Sequence, residues 1–494
     1  MTLVSASTAA ERRVGPWVLV ATSLLVLLVF INQTSLNVAL PALARDLDAG
    51  AREASWFVLG YMLPMTSLVL VYGRLTDLVG RRRLYLAGIV VFLAATVLCA
   101  LAASALVLVV ARVLQGVGAA ALTTNTTAIL TDVYPVDRLG VVLGLNASVA
   151  AVGQTVGPLV GGALVGLLGW RGIFGLEVVL GLVGLAAAWR LVPRDRRRAR
   201  ERAGEPETLD RWGALLSVGA TALLVLWLND APERGWGSSW TLAMALLTLA
   251  AGAAFVWSQT RARHPLLDLR VLAEPGIAQA YAGAFLSSVS HFAVVLLVSL
   301  HLQNVAGFSP LGAGAVVAAA SAGTMVAAAL AGRLVPRVPL RTLTGGGMAL
   351  VALGAGALVP LTGHAPATVP VAVALAVMGV GVGLFMTPNT TTLMQRVSRA
   401  RVGIANALRT TLQQAGYLVS TGLGLGLATA WLPNERRQAA YDGVLTATDA
   451  DDLLLGLRVA FAVLAGLAVV GVVVSTLPTR PPTARPPARP EDRP

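Results

Sequence analysis

Two side chains of opposite charge stand inside apolar runs of this chain, Arg112 and Glu177, and they are the residues with chemistry to offer. An ionised carboxylate in hydrocarbon costs about 3 kcal/mol, so such a group is protonated, paired or functional. A proton-binding carboxylate near a permanent cation suffices to link proton movement to a change of conformation. By rise per residue each of the two lies about 10 Å inside the same end of its run, and Asn32 falls in the same half of the first run. His291 is a further titratable group in an apolar run, a candidate proton relay whose commoner use is hydrogen-bonded packing. Gln115, Gln154, Arg409 and Gln413 are polar groups able to line a cavity together with Asn32. Asn125 and Asn389 read better as polar contacts between helices than as ligand contacts. Enzymatic chemistry finds no support, because the 4 histidines and the 1 cysteine are scattered and no paired carboxylates within the apolar runs and no phosphate-cradling loop occur. No metal and no cofactor are expected.

The elements that hold these groups are membrane helices. Hydrophobic residues make up 56% of the 494 residues and charged ones 12%, against roughly a quarter charged in soluble domains; the mean hydropathy is +0.75. Apolar segments fall at about 16–40, 55–73, 84–102, 105–130, 139–165, 170–190, 213–229, 240–258, 276–302, 311–331, 343–363, 367–388, 402–431 and 454–477. This predicts an all-α integral membrane protein of fourteen transmembrane helices. The net charge of +13 comes from arginines alone, since no lysine is present. With the N-terminus inside, only Arg45, Arg52, Arg171, Arg234, Arg436 and Arg437 fall outside, and Arg112, Arg409 and Arg458 fall in spans. That asymmetry places both termini in the cytoplasm and makes the charge a topology signal rather than a nucleic-acid footprint. Cys99 has no partner for an internal disulfide. The first apolar run has no small-residue cleavage site close behind it and is taken as a retained span.

The chain repeats itself. Leu122-Thr123-Thr124-Asn125-Thr126-Thr127 returns as Met386-Thr387-Pro388-Asn389-Thr390-Thr391, Asn146 and Gln154 return as Asn406 and Gln414, and Gly73-Arg74-Leu75 returns as Gly332-Arg333-Leu334, in the same order and at nearly equal offsets. Two pseudo-symmetric six-helix bundles follow, related by an axis along the membrane normal, with a two-helix insertion between them. The divisions expected are 1–192 for the first bundle, 193–212 for a cytoplasmic linker, 213–262 for the inserted helices, 263–478 for the second bundle and 479–494 for a disordered, Pro-rich tail.

The fifth span carries Gly153, Gly157 and Gly161, one every four residues, with Pro158 and Gly162. Glycine and proline are tolerated in hydrocarbon, where the backbone has no other partner than itself. The spacing puts the three glycines on one face, where a neighbouring helix can approach backbone to backbone.

Local motifs carry a specific resemblance. Gly73-Arg74-Leu75-Thr76-Asp77-Leu78-Val79-Gly80-Arg81-Arg82-Arg83 resembles the loop between helices 2 and 3 of the major facilitator superfamily; its glycines allow a tight turn, and Asp77 at a helix end can pair with nearby arginines to lock one conformation. Arg112-Val113-Leu114-Gln115-Gly116-Val117-Gly118 resembles that family's motif with a membrane-embedded Arg, and the glycine stretch of span 5 resembles its antiporter motif. Asn32-Gln33-Thr34-Ser35-Leu36-Asn37-Val38-Ala39-Leu40-Pro41, Trp170-Arg171-Gly172-Ile173-Phe174 and His301-Leu302-Gln303-Asn304-Val305-Ala306-Gly307-Phe308-Ser309-Pro310 are similar to segments of its fourteen-span drug:proton antiporter branch.

The departures are informative. Where that branch has an Asp in helix 1, this chain has Asn32, which cannot carry a proton, and where it has Asn in helix 6 this chain has Glu177. Glu177 is therefore expected to take the role of the missing Asp, paired with Arg112; a structural bridge is the alternative. The resemblance implies a secondary transporter in a bacterial plasma membrane, exporting amphipathic or hydrophobic drugs or natural products by alternating access in exchange for protons, with membrane lipids around it and a monomer as the functional unit. Loss of the helix-1 acid and retention of Arg112 and Arg409 favour neutral or anionic substrates. A lipid or lipid-precursor transporter, favoured if the inserted helices open a lateral path, and a facilitator without proton coupling are the competing readings.

Overall fold

The structure, a computed structural model, describes residues 2–134, 136–193, 210–235, 237–262, 265–266, 274–363, 367–397, 402–432 and 447–478. In hydrocarbon every backbone N–H and C=O must be met within its own segment, and the apolar runs accordingly fold as helices. In chain order these are α1 (Thr2–Asp46), α2 (Ala51–Val79), α3 (Arg81–Ala100), α4 (Ala105–Val133), α5 (Val136–Leu168), α6 (Arg171–Leu191) and α7 (Arg211–Arg234). Then come α8 (Ser239–Arg261), α9 (Pro275–Asn304), α10 (Pro310–Leu334), α11 (Leu340–Leu361), α12 (Thr368–Arg396), α13 (Val402–Ala428) and α14 (Ala447–Thr476). Among the described residues 12 helices are long and apolar enough to cross a membrane; parts of α5 and α13 lie outside the described side chains.

Several helices run past the apolar segments that announce them, α1 to Asp46 and α7 to Arg234, because polar turns at a helix end keep their backbone bonds while their side chains reach water. Side chains of Ser104, Asp210, Ser238 and Ser309 cap α4, α7, α8 and α10 and so fix where the chain re-enters a helix. Of the expected linker, residues 194–209 lie outside the described residues, as does the tail from residue 479.

In the first half α1 packs on α5, α2 and α3 pack on α4, and α6 packs on α3 and α1. In the second, α9 packs on α13, α10 and α11 pack on α12, and α14 packs on α11 and α9. The halves meet along two seams, α5 with α10 and α2 with α13. Helix α7 lies on α8, α2 and α13, so the insertion touches both halves at the second seam. Ser55 of α2 donates to Asn229 Oδ1 at 2.5 Å, and a Cβ on Gly422 of α13 would stand 3.1 Å from Leu228 of α7.

The glycine face of α5 packs against α1. A Cβ on Gly153 would lie 2.8 Å from the Leu27 carbonyl, one on Gly157 would run into Thr34 Oγ1, and one on Gly161 would lie 2.6 Å from the Ser35 carbonyl. Gly162 faces the other way, its Cβ position 2.5 Å from the Pro310 carbonyl of α10, and the Pro158 carbonyl is 2.8 Å from the Cβ position of Gly314. One helix thus joins its own half by one face and the opposite half by another. In the second half Gly416 of α13 meets Ser288 and Phe285 of α9 at 2.6 and 2.8 Å in the same way.

Candidate functional site

Five helices of the first half converge on a buried polar cluster. Arg112 of α4 and Glu177 of α6 are each 1% exposed, Asn32 of α1 is 1% and Gln115 of α4 is 0%. Arg112 and Gln115 are three residues apart on α4 and so share a face. Their side chains are linked in a defined order. Asn32 Nδ2 donates to Glu177 Oε2 at 2.7 Å, while Arg112 Nη1 donates to Asn32 Oδ1 at 2.8 Å. Arg112 Nη1 also donates to Gln115 Oε1 at 2.6 Å, and Gln115 Nε2 donates to Glu177 Oε2 at 3.2 Å and to Thr96 Oγ1 of α3 at 2.8 Å. Arg112 Nε donates to the Phe57 carbonyl of α2 at 2.8 Å, and its guanidinium lies 4.4 Å from the Tyr61 ring centroid. Glu177 and Arg112 therefore share a layer without touching; two amides stand between them. Glu177 Oε1 is buried and has no hydrogen-bond partner among the described residues.

This arrangement has consequences for charge. A buried carboxylate and guanidinium offset each other through polarised amides. Every donor of the cluster that faces Glu177 converges on Oε2, which leaves Oε1 as the atom open to a proton.

A second cluster joins the halves. Gln33 Nε2 of α1 donates to Gln414 Oε1 of α13 at 3.1 Å. Gln154 of α5 and Tyr417 Oη of α13 are 3.4 Å apart, and Gln413 Nε2 donates to the same Tyr417 Oη at 2.7 Å. Arg409, 8% exposed, donates to Gln413 Oε1 at 3.2 Å, continuing the chain one turn further along α13. Tyr417 stacks on Phe292 of α9 at 4.2 Å, and Thr421 Oγ1 approaches Met62 Sδ at 3.6 Å. His291 belongs to this second cluster, its Nδ1 donating to the Ser287 carbonyl at 2.5 Å and its ring meeting Tyr417 edge-on at 5.9 Å; it makes no contact with Glu177.

Further contacts close the Asp46 end. Gln303 Nε2 of α9 donates to the Val38 carbonyl of α1 at 3.1 Å. Asp46 Oδ2 accepts from Trp170 Nε1 at 2.9 Å and from Arg171 at 2.7 Å. Val69 of α2, Thr123, Thr124 and Thr127 of α4 and Thr410 of α13 line a small cavity.

The polar residues expected in the cavity thus divide. Asn32 and Gln115 are enclosed in the first cluster, whereas Gln154, Arg409 and Gln413 stand at the seam between halves. In the turn after α2, Gly80 has φ +102° and Arg81 pairs with Asp132 Oδ2 of α4 at 2.6 Å. Arg74 is half-buried on α2 and a Cβ on Gly73 would meet nothing within 4 Å; the side chain of Asp77 lies outside the described residues. Sequence reasoning missed Tyr61 and Tyr417. Tyr417 had a signal, standing four residues after Gln413 on one face of α13.

A family model described as Major Facilitator Superfamily matches residues 22–421 and 280–494. The multidrug resistance protein Stp of Mycobacterium tuberculosis is 32% identical over 416 residues, 84% of this chain and 76% of that one. The tetracenomycin C resistance and export protein of Streptomyces glaucescens is 32% identical over 312 residues, 63% of this chain and 57% of that one. In fold, the chain is similar to the crystal structure of a bacterial homolog of the human lysosomal transporter Spinster in an inward-facing, unoccupied conformation, with a TM-score of 0.63 and 18% identity, covering 94% of this chain and 96% of that one. With the family model spanning the bundle, the polar clusters and the seams, the chain belongs to the Major Facilitator Superfamily, in its branch of drug-resistance and efflux transporters.

Proposed function

We propose that this protein is a proton-coupled exporter of amphipathic small molecules, with Glu177 carrying the proton that the helix-1 acid carries in related drug:proton antiporters. The observation behind this is the position of Glu177, 1% exposed and bonded at 2.7 Å to the Asn32 amide that replaces that acid. The carboxylate stands on α6, one hydrogen bond from the α1 position where the resemblance expects an acid.

Fourteen spans, two related bundles and cytoplasmic termini complete the reading; α5 and α13 are the two spans beyond the 12 apolar candidates, and the repeated packing order supports the internal symmetry. The Asp46 end, where the halves touch, faces outward, and the opposite end faces the cytoplasm. Substrate enters from the cytoplasmic side, meets the Tyr417 seam, and leaves outward once the seam has parted. The seam is built from Gln33, Gln154, Gln413, Gln414, Tyr417 and Arg409, amide and hydroxyl groups beside one guanidinium, which suits neutral or anionic compounds. Since α7 lies across the α2–α13 seam, export of soluble amphipaths is favoured over passage of bilayer lipids.

The test is transport in proteoliposomes with an imposed pH gradient, using tetracenomycin C and puromycin as neutral and cationic probes. The wild type accumulates tetracenomycin C against its gradient when the pH gradient is present. Glu177→Gln keeps energy-independent exchange and loses the accumulation. Accumulation that is unchanged in Glu177→Gln rejects Glu177 as the carrier, and wild-type transport indifferent to the gradient makes the protein a facilitator.

A further inference from the structure

The two polar clusters are separated by one peptide bond. Asn32 and Gln33 are consecutive on α1, and successive helical residues point about 100° apart. Asn32 therefore turns into the first half, where it holds Glu177 and Arg112 at 2.7 and 2.8 Å. Gln33 turns across the seam, where it holds Gln414 at 3.1 Å. We propose that the Asn32–Gln33 pair is the positioning element that converts the charge of Glu177 into the opening of the seam, Asn32 sensing the carboxylate and Gln33 releasing α13.

The argument rests on Glu177 being the proton carrier, and it follows from the amide's geometry. Asn32 uses its carbonyl on Arg112 and its NH2 on Glu177, and neither end is interchangeable. A flip would face the NH2 group to a guanidinium, donor against donor, and the carbonyl to a carboxylate, acceptor against acceptor. With Glu177 ionised, the two bonds to Oε2 are charge-assisted and roughly twice as strong as neutral ones. A proton on Oε1 removes that assistance, adds an O–H with no acceptor among the described residues, and leaves Arg112 without its counter-charge. The amide and the α1 backbone that carries it are then no longer held in this rotation. Because α1 is close-packed on the glycine face of α5, it answers by turning as a rigid rod. A small turn is enough, since a 3.1 Å amide–amide bond is lost within a few tenths of an ångström.

Among the described residues no other titratable group is placed to do this. The charged or titratable side chains that face Glu177 are Arg112 from α4, Tyr61 from α2 and Cys99 from α3. Among its described side chains helix α1 brings Arg45 and Asp46, at its far end, where Asp46 bonds to Arg171, and α5 brings none among its described side chains.

The experiment needs no transported ligand. Spin labels at Leu101→Cys and Val369→Cys, exposed positions on the two halves at the Asp46 end, report the distance between halves in purified protein from pH 5 to pH 9. Cys99 is 0% exposed and stays in place. In the wild-type background the ratio of open to joined populations rises as pH falls, by up to about tenfold per pH unit, the limit for one linked proton. Glu177→Gln abolishes that response. Gln33→Leu and Gln414→Leu each flatten it to less than about twofold per unit, and the double variant is no flatter than either single one, since both break one bond. Should Gln33→Leu not fold, Gln414→Leu carries the same test. A full pH response in both Leu variants, with Glu177→Gln unresponsive, overturns the relay and leaves Glu177 as carrier. A response that persists in Glu177→Gln, or is absent from the wild type, overturns the carrier reading and the relay with it.

Discussion

Exchanging the residues at positions 32 and 177 tests whether the acid works by its charge or by its helix. In Glu177→Gln the shape is kept and the charge removed, so Arg112 becomes a buried cation without a counter-charge. Losing one member of a buried pair costs about 3–5 kcal/mol. Arg112 keeps the Phe57 carbonyl at 2.8 Å, the carbonyls of Asn32 and Gln115 at 2.8 and 2.6 Å, and the Tyr61 ring at 4.4 Å, which sets the cost at the low end, about 3 kcal/mol. Adding Asn32→Asp restores a carboxylate at an atom 2.8 Å from Arg112 Nη1, while the amide introduced at position 177 supplies the donor that Asn32 gave up. The exchange should recover at least about 2 kcal/mol of the loss and return gradient-driven accumulation. Asn32→Asp alone sets two carboxylates where 2.7 Å now separates donor from acceptor; they cannot both ionise, so they share a proton and coupling persists. Thermal half-life in detergent and accumulation in proteoliposomes read the two effects separately. An exchanged protein no more stable than Glu177→Gln, or a Glu177→Gln protein within about 0.5 kcal/mol of wild type, would refute the electrostatic reasoning.

Gly157→Val places branched carbons in Thr34 and the Ile31 carbonyl; an overpacking cost of about 1–3 kcal/mol is expected, seen as lower thermal stability together with lost export. Tyr417→Phe keeps the stack on Phe292 but removes the bonds to Gln413 and Gln154, and the loss of about 1 kcal/mol across the seam shifts the open population about fivefold in the spin-label distances. Arg81→Ala breaks the pair with Asp132 and the bond to Thr131; because the pair is partly exposed, stability falls by about 1 kcal/mol or less while the transport rate changes. In a compound panel at fixed gradient, neutral and anionic amphipaths are exported in preference to permanent lipophilic cations, and export of cations alone would refute the reading of the seam.

The spans were legible because hydrocarbon leaves the backbone one solution, and hydropathy reports it directly. The contact face of α5 was legible too, since a glycine every fourth residue leaves room for a helix and for little else; which helix fills it was not, because small residues carry no address. Arg112 and Glu177 stood out as charges in apolar runs, yet the two amides between them did not. Asn32 and Gln115 look like any polar residue in a span until the distances order them. Tyr417 stayed hidden for a related reason: an aromatic on a membrane helix reads as packing, and its hydroxyl matters only because Gln154 arrives from the other half of the chain.

The inserted helix α7 bears on how the two halves can move. Two rigid bodies that touch along two seams could part by rocking about an axis near either one. A third body seated on both α2 and α13 removes that equivalence, because any parting at the second seam must drag α7 off one partner or slide it along the other. The two contacts differ in kind: Leu228 sits close against Gly422, where a Cβ would stand 3.1 Å away, and Ser55 is hydrogen-bonded to Asn229. The hairpin is tied to α2 by one hydrogen bond and rests on α13 at a glycine, so a parting of that seam has to change one contact or the other.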